Sequence, residues 1–274
     1  MAATDEHGPE AGGSPTPLLS MTATQEARLR DHLDAKLLAL ERDARKRRLG
    51  PLSALLQRLT PVLHLILQIP ALEPWNSMRI AYLLRYTAAI MDYITSLPLI
   101  EIPLHPPAGV SPEEEMQREE DEAGETMRAM LDYLKEVERG WLAVLGGEGW
   151  IEPEDEDDEA PQPPVSVPVP GAGEVDQTSR VRLRSMVDAA RDKLLAWARP
   201  YGDFGGEVLG PDGDDEDELV PVEDTVGWEA EVTGLWGGIL IALDTAQQDD
   251  IVMEDEQEQE QKQEQDKQQD DTTG

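Results

Sequence analysis

The chain has 274 residues, with 58 Asp+Glu against 23 Lys+Arg, no cysteine and 21 prolines. The missing cysteine excludes a disulfide framework, a thiolate metal site and a cysteine nucleophile together. The charge is uneven: residues 1–100 hold 11 basic and 10 acidic side chains, which leaves 12 basic and 48 acidic in residues 101–274. So acidic a part is repelled by nucleic-acid phosphate and by anionic lipid, so neither direct nucleic-acid binding by that part nor a membrane contact is expected.

Residues 1–21 mix Gly, Pro, Ser and Thr without periodicity and read as a disordered tail. They carry early acids and no apolar stretch, so neither a secretory signal nor a mitochondrial presequence is expected. The expected location is intracellular, nuclear or cytoplasmic.

A first helix is predicted over 22–48. Thr24 is its expected cap, and Leu29, Leu33, Leu37 and Leu40 fall on one face. Arg45, Lys46, Arg47 and Arg48 complement the negative end of its dipole before Gly50 stops it. A second helix opens at Pro51 with the stripe Leu52, Leu55, Leu56 and Leu59. Pro61 predicts a kink, or a fresh start capped by Thr60. The most apolar run, Val62 to Leu72, is interrupted by His64, Gln68 and Pro70. It is shorter than the roughly 20 residues a membrane-spanning helix needs.

The third helix, from about Pro74 to Leu97, is apolar nearly all round and must be surrounded by protein. Arg79, Arg85 and Asp92 are its polar exceptions. Ser111-Pro112-Glu113 is a good helix start. The packed part of that fourth helix should run from Thr126 to Leu145, ended by Gly146-Gly147. Trp150 and Ile151 lie beyond it and read as an exposed interface candidate. Residues near 148–175, acidic and then Pro/Val alternating, read as a polyproline-like linker. A fifth helix is predicted from Gln177 to Arg199, and a second acidic linker near 200–223. A sixth helix capped by Asp224 or Thr225 follows, with Gly234, Gly237 and Gly238 available for close approach of a neighbour. Residues 247–274 read as a disordered Gln-rich acidic tail.

No segment combines strand alternation with hairpin turns. The expected fold is therefore all-α: an irregular bundle of about five to seven helices over 22–246, with long acidic loops and tails.

Nothing in the sequence carries recognisable chemistry. The histidines His7, His32, His64 and His105 include no pair at the spacing that puts two imidazoles on one helix face. Asp212, Asp214, Glu216 and Glu223 match part of a calcium-loop pattern, but Asp217 stands where the sharp turn needs glycine. Gly146-Gly147-Glu148-Gly149 follows a helix instead of opening one, unlike a phosphate loop. There is no G-x-S-x-G motif, and the carboxylates fall in runs rather than at rigid positions. No catalytic, cofactor-binding or metal-binding residue is therefore assigned. No enzyme activity, cofactor or small-molecule substrate is expected.

The expectation is a non-catalytic helical adaptor or complex subunit that binds other proteins. The alternative is an acidic chaperone of a basic client such as histones, working through the runs Glu152–Glu159, Asp212–Glu218 and Glu254–Asp271. Arg45, Lys46, Arg47 and Arg48 are a candidate nuclear import signal.

Overall fold

The structure, a computed structural model, describes residues 20–100, 111–151, 164–201 and 228–246. Helix dominates them. In chain order they are α1 (Ala23–Arg45), α2 (Leu52–Leu67), α3 (Trp75–Thr95), α4 (Pro112–Leu145), β1 (Glu148–Ile151), β2 (Val165–Pro168), α5 (Gln177–Ala198) and α6 (Trp228–Gly234). One 3-10 turn, Arg199–Tyr201, closes α5. After the turn at Leu235 and Trp236, a second helical run covers 237–246. The all-α expectation holds, with one small sheet added to it.

The cap of α1 is Thr22 and not Thr24. The Thr22 hydroxyl accepts the Gln25 N–H, and the Gln25 side chain accepts the Thr22 N–H at 2.8 Å. Only Thr22 has a glutamine three residues on, which lets two orphaned donors be satisfied reciprocally. At the other end Arg47, not Gly50, takes the left-handed turn, with φ 53°. The Arg48 N–H reaches back to the Asp43 carbonyl and the Arg47 N–H to that of Ala44, closing the carbonyl end of the helix. Gly50, at φ 82°, then turns the chain into α2.

Pro61 does not divide α2, which is continuous from Leu52 to Leu67. The Thr60 hydroxyl donates to the Leu56 carbonyl at 3.1 Å instead of capping a new start. Pro61 itself is solvent-exposed.

Helix α3 is the centre of the molecule, in contact with α5, α2 and α1. Its buried residues run most of the way round, from Met78 and Ile80 to Ile90 and Ile94. Only Ser77, Ala81, Arg85, Ala88 and Asp92 form an exposed stripe at helical spacing. Helix α4 starts at Ser111 with a second reciprocal cap to Glu114 and runs unbroken to Leu145, past the polar half and Gly124. It packs against α2 and β1.

The expected linker near 148–175 is corrected at both of its ends. Glu148–Ile151 pairs antiparallel with Val165–Pro168, Trp150 opposite Ser166. The valine alternation there lays one strand along another, and the proline sits at the outer end of the ladder, where its missing N–H costs least. The chain then packs onto α3: the Asn76 amide donates to the Gly173 carbonyl at 2.7 Å, and the Gly173 N–H to that of Ala71 at 2.8 Å. Residues 152–163 and 202–227, including the expected cap of the sixth helix, lie outside the described residues, as do 1–19 and 247–274.

Helix α5, capped by Asp176, lays Leu183, Val187, Ala190 and Leu194 into the core. Its end is fastened to the exit of α3: Trp197 donates to the Leu97 carbonyl at 2.8 Å, and the Tyr201 hydroxyl accepts the Leu99 N–H. Trp236, in left-handed backbone at φ 62°, is buried against α4 and donates to the Leu134 carbonyl at 3.4 Å. One continuous apolar cluster joins the six helices and β1.

Candidate functional site

Charge in this chain is unevenly placed. From Thr22 to Gln68, the span of α1 and α2, nine Lys+Arg face five Asp+Glu. Helix α1 itself is balanced, five basic against five acidic side chains, and the excess comes from Lys46, Arg47 and Arg48 in the turn and from Arg58 of α2, in a chain that stands at −35 as a whole. Between the two helices lies a groove of about 350 Å³, lined from α1 by His32, Lys36, Ala39 and Leu40 and from α2 by Arg58, Pro61, Val62 and Leu65.

The sequence builds this groove from two local causes. Leu33, Leu37 and Leu40 carry α1 into the core, which turns His32 and Lys36, one helical turn apart, onto the rim. On α2 the buried face includes Leu59, Val62, Leu63 and Ile66, and leaves Arg58 and Pro61 outside. The result is a floor of Leu40, Val62 and the half-buried Leu65 below exposed Ala39 and Pro61, with nitrogen donors along the edge.

Arg58 is held in place. Its guanidinium donates to the Asp43 carboxylate at 2.6 Å and to the Leu49 carbonyl at 3.3 Å. Asp34 of α1 is taken up by Arg85 of α3 at 2.9 Å, and Glu41 by Arg45. His32 and Lys36 make no ion pair among the described residues.

Arg45, Lys46, Arg47 and Arg48 sit at the end of α1 and are all exposed. Arg45 pairs with Glu41 one turn back, whereas the other three make no ion pair among the described residues. The left-handed turn at Arg47 therefore presents three cations without an ion pair among the described residues at the negative end of the helix dipole.

Trp150 is not the exposed anchor that its position beyond α4 suggests. It retains 7% of its surface, in β1 against the core, and its indole N–H has no hydrogen-bond partner. Ile151 beside it is half-buried. Pairing with β2 folds this stretch back onto the body of the molecule.

The three polar residues of α3 do not converge. Arg79 is fully buried and donates to the Glu148 carbonyl of β1 at 2.7 Å, with Nε and Nη2 left unpartnered. Burial lowers its pKa to about 10, against the opposing pull of the Glu148 carboxylate. Arg85 turns to α1, and Asp92 pairs with Lys193 of α5. His64, half-buried, faces Glu136 of α4 at 2.7 Å. No group of three or more His, Asp or Glu side chains able to hold a metal ion occurs among the described residues. The calcium-like acids Asp212, Asp214, Glu216 and Glu223, and all three acidic runs, lie outside them. No described helix is long and apolar enough to cross a membrane.

Neither motif nor periodicity singles out the groove residues. Nor does charge counted element by element, because α1 is balanced and α5, with five basic and two acidic residues, is the more positive helix. Comparison with protein-family models, with curated proteins and with solved structures gives no match.

Proposed function

We propose that this chain is a non-catalytic helical adaptor or subunit of a protein complex, which acts by binding other proteins. The observation that carries the reading is the apolar-floored groove between α1 and α2, edged by His32, Lys36 and Arg58. Nitrogen donors beside exposed apolar surface suit a protein partner more than a reaction. The separate engagements of Arg79, Arg85 and Asp92 support it, since acid–base chemistry needs such groups gathered at one place.

Affinity purification of the full chain from its native extract, followed by mass spectrometry, tests the reading. A stoichiometric partner is expected. Recovery of the chain alone overturns it.

A second reading, an acidic chaperone of a basic client such as histones, is favoured by the 48 acidic residues in 101–274. It expects client binding that falls steeply with salt and is lost when residues 247–274 and both internal acidic loops are deleted. Binding indifferent to those deletions removes it. We also propose Arg45, Lys46, Arg47 and Arg48 as a nuclear import signal, because all four are exposed, as a linear basic motif requires. Replacing them with alanine should leave a fluorescently tagged chain in the cytoplasm.

A further inference from the structure

The groove between α1 and α2 selects its occupant by two properties at once. Its floor is aliphatic and its rim carries the nitrogen donors of His32, Lys36 and Arg58, the last paired with Asp43. A surface meant only for phosphate would set its cations on a polar or backbone-lined bed, whereas Leu40, Val62 and Leu65 offer nothing to a phosphate. A purely apolar ligand would leave His32 and Lys36 without partners. The combination matches an amphipathic helix laid into a groove, read through apolar side chains one turn apart and through acids on its flanks. The groove walls are themselves two helices, so positions repeat at the same turn spacing: His32 and Lys36 on one side, Arg58, Val62 and Leu65 on the other.

We propose that this groove receives an acidic amphipathic helix of a partner protein, its apolar side chains on Leu40, Val62 and Leu65 and its carboxylates at Lys36, His32 and Arg58. The inference rests on the reading of the chain as a protein-binding subunit, and it specifies the chemistry of the partner. Charge complementarity decides against a basic occupant at this face. The partner's carboxylates find Lys36 without an ion pair among the described residues and His32 with an N–H to give, while Arg58, already fixed by Asp43, supplies a positioned donor. The chain's own net charge of −35 works against any acidic partner at long range, so the contact should be tighter at moderate than at very low salt.

The test uses the full-length chain and a fluorescent synthetic peptide of about four helical turns, with leucine on one face and glutamate on the other. Two comparison peptides carry lysine for glutamate, or alanine for leucine. Anisotropy should show binding of the Glu/Leu peptide, with each comparison peptide at least about tenfold weaker. His32→Glu combined with Lys36→Glu should weaken the Glu/Leu peptide by a similar factor. Both positions are exposed and make no ion pair among the described residues, so the fold is kept and circular dichroism checks it. Amide shifts on titration should centre on Ala39, Val62 and Leu65.

Equal binding of the glutamate and lysine peptides overturns the proposal, as does a double variant that binds unchanged. If single-stranded polyuridine displaces the peptide and loses affinity in the same variant, the face belongs to nucleic acid and the proposal falls. If the peptide binds only after residues 247–274 are removed, that segment is the occupant, and the assignment to a partner falls. A partner purified from extract that is retained by the double variant overturns this inference and leaves the adaptor reading standing. Peptide binding as described, with no partner recovered from extract, removes the adaptor reading and with it the assignment of the groove to a partner protein.

Discussion

The hydroxyls of Tyr133 and Tyr86 lie 2.5 Å apart in the core between α2, α3 and α4. Tyr86 gives its one proton to the Leu59 carbonyl, 2.8 Å away, so Tyr133 is the donor between the two rings. The chain of bonds therefore has a direction, and the two phenols are not equivalent. Tyr133→Phe leaves Tyr86 still donating to Leu59 and should cost about 1 kcal/mol or less. Tyr86→Phe removes that bond and strands the buried Tyr133 hydroxyl, so about 2–3 kcal/mol is expected. The double variant should cost less than the two single changes together, as shared partners require. Urea unfolding of the three variants measures it, and equal losses for the two single changes would refute the direction. Burial also pushes both phenols above the usual tyrosine value of 10.0. A raised folded value favours the neutral form, so this contribution is intact below pH 10.0 and is lost as pH rises beyond it. The alkaline loss of stability should be shallower in the double variant.

Arg79 is a buried cation with one hydrogen-bond acceptor, the Glu148 carbonyl, and no carboxylate bonded to it, the Glu148 carboxylate acting on it only through its charge. Two of its nitrogens lose their water and gain nothing, a cost that methionine of similar length avoids. Arg79→Met should therefore unfold within about 1 kcal/mol of the parent, while Arg79→Ala, which also leaves a cavity, should lose about 3 kcal/mol. If methionine proves as damaging as alanine, the bond to Glu148 outweighs the desolvation, and Arg79 holds β1 to α3 instead of burdening the core. Thermal or urea unfolding of the two variants separates these outcomes.

The helices are legible in the sequence because their signals are local. Leu33, Leu37 and Leu40 recur at helical spacing, and Ser111 announces α4 by itself. What stays hidden is decided by partners distant in sequence. Trp150 reads as exposed because nothing near it in sequence covers it; β2, which pairs with it at Ser166, arrives after a stretch of acid and proline. Pro61 reads as a break when its effect is judged on the helix alone, whereas packing on both sides carries α2 through it. The glycines show the same division. Gly238 meets α4, its N–H bonded to Glu138, but Gly234 and Gly237 have open space where a side chain would stand. The tightest helix contact in α4 falls at Gly140, which no periodic pattern marks. The groove is hidden for a related reason, since a surface shared by two helices has no signature in either one.

Gly140 lets α4 approach α2. A Cβ placed there would lie 2.7 Å from Leu67 Cδ1 and 2.9 Å from Cδ2, and Leu67 is fully buried. Alanine at an open helical glycine should gain about 1 kcal/mol in helix propensity. At this position the clash should reverse the sign, for a net loss of about 1–2 kcal/mol. Gly124→Ala in the same helix, with nothing within 4 Å, is the control and should stabilise. Combining Gly140→Ala with Leu67→Val should cost less than the sum, because the shorter side chain makes room. A Gly140→Ala variant as stable as Gly124→Ala would mean that the two helices adjust freely.

Asp176 ties the start of α5 by accepting from Ser179 twice: Oδ2 takes the hydroxyl at 2.6 Å and Oδ1 the backbone N–H at 3.0 Å. These two bonds, the hydroxyl first, hold its carboxyl below the usual value of 3.8. They favour the ionised form in the folded chain. The stabilisation is accordingly present above pH 3.8 and is lost as pH falls through the lower folded value. Asp176→Ala should cost about 1 kcal/mol at neutral pH, the ordinary worth of such a cap. The gap between the parent and the alanine variant should narrow on acidification, because a protonated carboxyl caps less well. Asp176→Asn keeps an acceptor without the titration, so it should lie between the two at neutral pH and meet the parent in acid. Urea midpoints taken from about pH 2.5 to 7 follow all three chains. A parent-to-alanine gap that is constant across that range would show that the charge on Asp176 contributes nothing to holding α5.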